Sequence, residues 1–515
     1  MNVLKTYLSP TRISQPAVPR GKAGKRLEEI SISRVIRIFW TWKGLLLLVA
    51  LVAPGQGYDT STQITFDQDH PKGSSSLVSK AIEYAVLRLT RWDAIYFASS
   101  SWRGYLYEQE WAFSWVFSRL SSKAANGAYM PNAPQRHALS GICLSHLSHF
   151  LAVIVLYHLI HSLIPSATLE SKRQVAFATA CLHVFSPAGL FLSAPYAEST
   201  FALLSFLGCY CYVKAIENRY HRFADAYQLD ACWTVAAGLS FGLATTMRTN
   251  GLLNGIIFAW DVYIILPRLP HILQTRDGEE ITRLFATLIA GGLIAVGFTL
   301  PQIVAYTEYC TNGNTRPWCS ALPPSIYSFV QKEYWNVGLF RYWTLNNLPL
   351  FLLAAPLGYL MIVTALSALL HTEGLYTCLT DKKGSETQNP HTIEREKRIF
   401  IHVLPRIAVP QLILVVMAGT SFHVQILNRI SSGYVVWYFM LAVWIYLESD
   451  ASETVVEGPA KDEADARTDE KKKQFAGSMV GSSFAQRLRP EWLFRTMVMY
   501  ALVQGGLYAC FLPPA

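Results

Sequence analysis

The segment IFWTWKGLLLLVALVAP at residues 38–54 decides the fold, because it is mostly apolar and long enough to enter a bilayer as a helix. A spanning helix needs about 20 mostly apolar residues, and fewer where Lys, Trp or Tyr side chains reach the interface. Similar runs follow at residues 138–165, 175–193, 198–215, 231–247, 251–267, 284–306, 347–370, 399–420, 433–448 and 492–512. The pattern predicts an all-α polytopic membrane protein with about eleven transmembrane helices.

The composition of the chain agrees with this fold class. Its 515 residues are 51% hydrophobic and 15% charged, with a mean hydropathy of +0.24, whereas soluble domains carry about 25% charged residues. The formal net charge of +9 does not indicate a nucleic-acid partner, because the basic residues form short clusters beside the apolar runs. Such clusters are typical of the cytosolic ends of spanning helices.

The basic clusters also predict the orientation of the chain. With a cytosolic N-terminus, every loop expected in the cytosol is basic, at residues 172–173, 214–222, 268–283, 382–398 and 461–473. We therefore expect four parts in chain order. They are a basic cytosolic tail (1–37), a transmembrane core (38–448) with a lumenal loop at 55–137, a disordered cytosolic loop (449–491) and a final transmembrane helix (492–515).

The first lumenal loop contains the stretch RWDAIYF at residues 91–97. Residues 77–98 show helical apolar recurrence but are too polar to span, which predicts an interfacial helix. Asp93 would then lie near the headgroup plane, where a carboxylate is costly unless it is solvated or used. The alternative is structural, since Asp is favoured where a helix starts. Asp93 is the leading candidate for chemistry.

The other candidate site residues are polar or aromatic and lie in or beside loops predicted to be lumenal. They are Trp92, Tyr105, Tyr107, Glu108, Tyr196, Glu198, Arg248, Asn250, His423 and Gln425. Each has a structural alternative as well. Glu108 and Glu110 fit a solvated turn, Glu198 fits the first turn of a helix, and Arg248 fits a tight turn with a snorkelling side chain.

Metal and nucleotide chemistry have little support in the sequence. His146 with His149, and His158 with His161, have spacings that resemble metal ligands but lack an acidic or cysteine partner, so we predict no metal. No Gly-rich nucleotide-binding motif is present, and we expect no cofactor. Cys310 and Cys319 could form a disulfide if their loop is lumenal, and the sequence leaves this open.

Six motifs, taken in chain order, resemble the GPI mannosyltransferase II family. They are RWD (91–93), GYLYE (104–108), AF (112–113), SPA with YAES (186–188 and 196–199), MRTNG (247–251) and FHVQ (422–425). Each motif is short, but together they are specific and extend from about residue 85 to residue 430. The resemblance implies a GT-C glycosyltransferase of the endoplasmic reticulum membrane with a lumenal active site.

The same resemblance implies an activity and partners. The enzyme would add the second mannose of the GPI anchor through an α-1,6 bond. Its donor would be dolichyl-phosphate mannose, its acceptor the mono-mannosylated GPI precursor, and a small accessory membrane subunit is a further implied partner. In GT-C enzymes an acidic residue of the first lumenal loop acts as the base, and Asp93 matches that place.

The sequence leaves open how the remaining residues act. Arg248 would stabilise the departing lipid phosphate in a single inverting displacement, and His423 would assist it or orient the acceptor. One alternative is another dolichyl-phosphate-sugar transferase. The other is a lipid or solute transporter, in which Asp93, Arg248 and His423 would form the translocation site.

Overall fold

The computed structural model of the protein describes residues 20–54, 59–66, 76–127, 133–164, 169–220, 226–311, 316–380, 390–456 and 490–512. Every regular element in these ranges is helical. Residues 1–19 of the predicted tail and residues 457–489 of the predicted disordered loop lie outside them. Within them, residues 20–37 and 449–456 are helical.

The α-helices follow one another along the chain, joined in places by short 3-10 turns. They are α1 (Arg20–Val52), α2 (Ser61–Phe66), α3 (Leu77–Leu89), α4 (Asp93–Arg103), α5 (Trp115–Ala125), α6 (Ala133–Leu163), α7 (Leu169–Val184), α8 (Glu198–Arg219), α9 (Ala226–Met247), α10 (Gly255–Ile265), α11 (Leu269–Thr275), α12 (Gly278–Cys310), α13 (Ile326–Glu333), α14 (Leu348–Leu370), α15 (Thr372–Leu379), α16 (Pro390–Thr420), α17 (Leu427–Ile430), α18 (Val435–Val456) and α19 (Pro490–Ala509).

Each of the eleven segments predicted to span contains helix, so the all-α membrane fold is confirmed. In the described residues, seven helical segments are long and apolar enough to cross a bilayer. A bent pair, Val424–Gly433 with Val435–Glu448, would make an eighth, with 78° between its halves. Helices α7, α9 and α19 do not meet that test of length and composition. The count of eleven is therefore not confirmed.

The predicted interfacial helix at residues 77–98 is two helices, α3 and α4, with a break between them. At the break Trp92 has a φ of +55°, a left-handed conformation that is costly for a bulky residue. The final helix holds the break in place. The Tyr508 hydroxyl accepts the Arg91 N–H at 3.2 Å and lies 2.9 Å from the Leu89 carbonyl, to which it donates. Asp93 is therefore the first residue of α4 rather than part of a continuous helix.

The close approach of α9 and α12 stabilises the middle of the bundle. A Cβ added at Gly297 would lie 2.2 Å from the Gly242 carbonyl oxygen, and one at Gly238 would lie 2.3 Å from the Ala290 Cα. Small residues let two helix backbones pack closely in a membrane, where the hydrophobic effect supplies little attraction between them. This contact positions the end of α9, after which Arg248 follows.

A lysine on the first spanning helix holds a buried turn. Lys43 on α1 is 4% exposed, and its Nζ donates to the Leu192 carbonyl and the Ser193 hydroxyl, both at 2.8 Å. The Ser199 hydroxyl also donates to the Leu192 carbonyl. A buried ammonium is costly unless its donors are satisfied. Lys43 thus ties α1 to the turn that leads into α8.

The disulfide that the sequence left open is present between Cys310 and Cys319, whose Cα atoms are 5.7 Å apart. It joins the end of α12 to a 3-10 turn at Pro317–Ser320. Trp318 in that turn is 2% exposed and packs in a small apolar cluster with Tyr105 and Trp111. The disulfide loop is therefore packed against the first lumenal loop.

We expect Cys310→Ser to destabilise the protein by about 2–3 kcal/mol, because the disulfide closes a short loop and restricts the unfolded chain. The measurement is thermal unfolding of the purified protein, together with a count of alkylated thiols in unreduced, denatured samples. The matched control is Cys232→Ser, which replaces an exposed free cysteine and should leave the unfolding temperature unchanged. Equal unfolding temperatures for the two variants would contradict a stabilising disulfide.

Candidate active site

Four charged side chains form a chain of ion pairs where α4, α8, the end of α9 and α17 meet. The Asp93 carboxylate accepts from the Arg429 guanidinium at 2.8 Å. Arg429 Nε lies 2.7 Å from Glu198 Oε1, and the same oxygen accepts from Arg248 Nη1 at 2.7 Å. Charges therefore alternate in the order Asp93, Arg429, Glu198 and Arg248. We call these four residues the ion-pair chain.

Within the ion-pair chain, the exposed fraction of the side chain is lowest at Glu198 and highest at Asp93. The side chain of Glu198 is 0% exposed, that of Arg429 13% and that of Arg248 18%, whereas that of Asp93 is 28%. A buried carboxylate needs partners to offset its lost hydration, and Glu198 has two guanidinium groups. Glu198 is therefore the buried centre of the cluster, and Asp93 is its more exposed carboxylate.

The local backbone explains how Asp93, Glu198 and Arg248 are placed. Asp93 and Glu198 are each the first residue of a helix, where the macrodipole stabilises a negative charge. Arg248 lies in extended conformation between α9 and the 3-10 turn Thr249–Asn254. That turn is held by Asn250, whose side-chain amide donates to the Tyr434 hydroxyl at 3.1 Å. Asn250 thus supports Arg248 and belongs to the same site.

Arg429 is a member of the site that the sequence-based candidates did not include. Its guanidinium lies over the rings of Phe191 and Tyr196, at 5.1 and 5.3 Å from the ring centroids, and such contacts favour a desolvated arginine. The sequence carried one signal for it. Like Arg248, it is an arginine on a face predicted to be lumenal, where the charge bias disfavours arginine.

The aromatic candidates differ in how deeply their side chains are buried. The ring of Tyr196 is fully buried and packs against Phe191, so it offers no surface to a substrate. Tyr105 is also buried, and its hydroxyl lies 3.1 Å from that of Ser118, while burial raises the pKa of the phenol well above its usual range. Trp92 is half-buried and contacts Phe511. Tyr107 is exposed, and the Arg103 guanidinium lies over its ring.

Glu110 is buried and stabilises the first lumenal loop, so it does not lie in a solvated turn. Its side chain is 1% exposed and accepts from Arg103 Nη2 at 2.6 Å. It also accepts from the backbone N–H groups of Leu106 and Tyr107, at 2.8 and 3.1 Å. These contacts satisfy the carboxylate fully, so Glu110 has a structural role that fixes the course of the chain after α4.

Glu108 links the first lumenal loop to the disulfide loop. Its carboxylate accepts from the indole N–H of Trp318 at 2.9 Å, and Arg316 lies 3.7 Å away. The side chain is about one tenth exposed. The turn at residues 108–112, for which a solvated turn was one interpretation, is therefore an interface between two loop segments, and the contacts of Glu108 do not include a member of the ion-pair chain.

His423 and Gln425 form a second polar cluster around Tyr342. The His423 ring stacks on that of Tyr342 with centroids 4.7 Å apart, and its Nε2 lies 2.7 Å from the Trp335 carbonyl. Gln425 accepts from the Tyr342 hydroxyl at 3.0 Å. Within the described part of the chain these contacts do not reach the ion-pair chain. The convergence of His423 with Asp93 and Arg248 is therefore not seen.

The first of the two histidine pairs singled out by their spacing, His146 with His149, makes contacts inside the bundle. His146 Nδ1 lies 2.9 Å from the Ile142 carbonyl, and the ring of His149 lies edge-on to that of His183 at 4.9 Å. Among the residues that the structure describes, no group of three or more His, Cys, Asp or Glu side chains could hold a metal ion.

Comparison with known proteins identifies relatives along most of the chain. A family model described as mannosyltransferase (PIG-V) matches residues 32–515. A relative from Gibberella zeae, named GPI mannosyltransferase 2, is 39% identical over 484 residues, which are 93% of this chain and 96% of the relative. A relative from Cricetulus griseus, named GPI alpha-1,6-mannosyltransferase 2, is 30% identical over 71% of this chain and 75% of its own. The resemblance inferred from the motifs is confirmed.

Solved structures resemble the chain only distantly. The oligosaccharyltransferase of Archaeoglobus fulgidus, tethered to an acceptor peptide, gives a TM-score of 0.42 at 11% identity, over 92% of this chain and 55% of that chain. ArnT from Cupriavidus metallidurans, bound to undecaprenyl phosphate, gives a TM-score of 0.32 at 15% identity, over 91% of this chain and 77% of that one. Similarity at this level carries no argument about the site.

We expect Glu110→Ala to lower stability by about 3 kcal/mol, because it leaves Arg103 and two backbone N–H groups without their partner. Thermal unfolding of the purified protein measures this. Glu333→Ala is the matched control, since Glu333 is exposed and pairs only with an exposed lysine. Turnover per folded Glu110→Ala molecule should stay within about tenfold of wild type. Normal stability with lost turnover would instead place Glu110 in the chemistry.

Proposed function

The chain belongs to the mannosyltransferase (PIG-V) family, and from that premise we propose that it transfers the second mannose of the GPI anchor. The donor is dolichyl-phosphate mannose, the acceptor is the mono-mannosylated GPI precursor, and the new linkage is α-1,6. The names of its relatives support the reaction, and the ion-pair chain supports the chemistry. The observation that carries the proposal is a partly accessible carboxylate, Asp93, that pairs with Arg429 and is linked through Arg429 and Glu198 to Arg248.

The proposed reaction is a single displacement at the sugar. The oxygen of the acceptor 6-hydroxyl attacks the anomeric carbon, its proton passes to Asp93, and the bond from that carbon to the phosphate oxygen breaks. The donor is β-linked and the product is α-linked, which requires one inversion. Phosphate is already a good leaving group, so the enzyme needs a base for the acceptor but no strong acid.

The arginines of the ion-pair chain suit the charge that develops during this reaction. The donor is a phosphodiester with one negative charge, and the departing dolichyl phosphate has one more. Asp93 loses its negative charge when it takes the acceptor proton. Arg248 lies at the edge of the cluster and would bind the phosphate. Arg429 contacts Asp93 directly. It would stabilise the carboxylate before the proton transfer and the negative charge of the leaving group after it.

The remaining candidate residues act at a distance from the reacting atoms in this proposal. His423 and Gln425 hold Tyr342 and Trp335 through stacking and hydrogen bonds, and they position the segment that follows α13. The ring of Trp335 contacts that of Phe113, which stacks on Tyr96 of α4. This path of aromatic contacts leads from the His423 cluster to the helix that begins with Asp93.

The proposed location of the reaction is the lumenal face of the endoplasmic reticulum membrane. The basic loops favour a cytosolic position for the opposite ends of the helices. The Cys310–Cys319 disulfide supports an oxidising compartment on the side of the site, because its loop contacts the first lumenal loop through Glu108. A small accessory membrane subunit stays a prediction from the family resemblance.

We expect Asp93→Asn to lower turnover by about 100-fold or more, because an amide cannot take the acceptor proton. The measurement is transfer of labelled mannose to the GPI precursor by purified protein, and restoration of GPI anchoring in cells that lack the enzyme. The control is Asp277→Asn at the start of α12, where the side chain caps a helix on the predicted cytosolic face. Full activity of Asp93→Asn would remove Asp93 from the role of base.

We expect Arg429→Gln to lower turnover by about 100-fold and to weaken inhibition by the product dolichyl phosphate by about tenfold. The donor KM should change little, because the diester has less charge than the product. Arg341→Gln, which removes an exposed arginine, is the matched control. Arg429→Lys should recover part of the turnover, since it keeps the charge but not the two-sided contacts. Lower stability with normal turnover per folded molecule would contradict this role.

A further inference from the structure

A polar cavity lies at the end of the bundle opposite to the ion-pair chain. Its volume is about 300 Å³ and it opens to the surface. Four helix ends enclose it, with His161 at the end of α6, Lys172 near the start of α7, Lys214 and Glu217 near the end of α8, and Arg395 with Glu396 near the start of α16. The mechanism proposed above uses none of these residues.

Helix α8 fixes the position of this cavity relative to the site. Glu198 is the first residue of α8, and Lys214 lies 16 positions later on the same helix. At 1.5 Å per residue the two are about 24 Å apart along the axis, which approaches the thickness of the hydrocarbon core of a bilayer. The cavity therefore lies at the cytosolic interface if the site faces the lumen.

The charges that line the cavity suit a particular class of ligand. Three cations, Lys172, Lys214 and Arg395, come from three different helices and converge on one space. Basic pockets between spanning helices on the cytosolic side are typical binding sites for anionic lipid headgroups. Lys214 is already paired with Glu217 at 2.7 Å, but an ammonium has three donors and can hold a phosphate oxygen as well.

The carboxylates of the cavity narrow the class of ligand further. Glu217 and Glu396 would repel a headgroup that carries its own carboxylate, whereas they can accept hydrogen bonds from hydroxyl groups. The volume of about 300 Å³ is at the lower end of the range for small-molecule sites and exceeds what one phosphate group needs. Leu163, Ile164 and Ile399 add a small apolar part to the lining, and their side chains are largely buried.

We propose that this cavity binds a phosphodiester headgroup that bears hydroxyl groups, as in an inositol phospholipid of the cytosolic leaflet. The cations hold the phosphate, and the carboxylates accept from the hydroxyls. The bound group would join the cytosolic ends of α6, α7, α8 and α16. This binding is independent of the transfer reaction and does not rest on the proposed function.

The test is thermal unfolding of the full-length protein in detergent micelles with added phosphatidylinositol, phosphatidylserine or phosphatidylcholine. We expect phosphatidylinositol to raise the unfolding temperature of wild type by about 2–5 °C at saturating lipid. The double variant Lys214→Gln with Arg395→Gln should lose that rise. The matched control is Arg268→Gln with Arg276→Gln, which removes two exposed arginines from another cytosolic loop and should keep it.

Further outcomes of the same experiment decide the ligand. Equal rises with phosphatidylcholine, or in the double variant, would overturn the site, and an equal rise with phosphatidylserine or inorganic phosphate would overturn the hydroxyl-bearing headgroup. An equal rise with soluble glycerophosphoinositol would support the same chemistry from a soluble source. If the double variant does not fold, Lys172→Gln replaces it, and an unchanged lipid response in that variant would also overturn the site.

Discussion

The structure depends most on one buried carboxylate, that of Glu198. It has no exposed surface, and its Oε1 lies 2.7 Å from both the Arg248 and the Arg429 guanidinium. Burying an ion costs several kcal/mol, and removal of one partner of a buried pair costs about 3–5 kcal/mol. The end of α9, the start of α8 and α17 must therefore meet here. Asp93 adds α4 to the same junction through Arg429.

A second set of contacts keeps Asp93 at that junction. The break between α3 and α4 is held by hydrogen bonds to Tyr508 of the last helix. After α4, Glu110 folds the chain back through Arg103 and two backbone N–H groups, and Glu108 joins it to Trp318 of the disulfide loop. The carboxylates at 108 and 110 are thus engaged in contacts between loop segments, whereas the carboxylate at 93 is partly exposed.

The two ends of α8 illustrate how one helix can serve both faces of a membrane. Its first residue belongs to the ion-pair chain, and its last turns line the polar cavity with Lys214 and Glu217. The apolar residues between them are largely buried among neighbouring helices. A bilayer tolerates charged side chains at its interfaces and in paired clusters. The charged residues of α8 therefore lie at its two ends, and the apolar residues lie between them.

The amino-acid sequence by itself determined the helical membrane fold and the family, and it predicted that Asp93, Glu198 and Arg248 lie on the same face of the membrane. Apolar runs of bilayer length, basic clusters and short motifs are local features, so they can be found without the tertiary structure. Only the tertiary structure decided which arginine pairs with which carboxylate. Arg429 lies 336 positions from Asp93 in the chain, and no local pattern predicts which of several arginines a carboxylate will contact.

The roles of the other candidates were decided in the same way. The local sequence around Glu108 and Glu110 fits a solvated turn, but in the structure Glu108 contacts Trp318 of the disulfide loop and Glu110 contacts Arg103 and two backbone N–H groups. Tyr196 and His423 looked accessible as loop residues, yet one is enclosed by aromatic rings and the other contacts Trp335 and Tyr342. Burial and pairing depend on segments distant in the chain, and therefore on the packed structure rather than on local sequence.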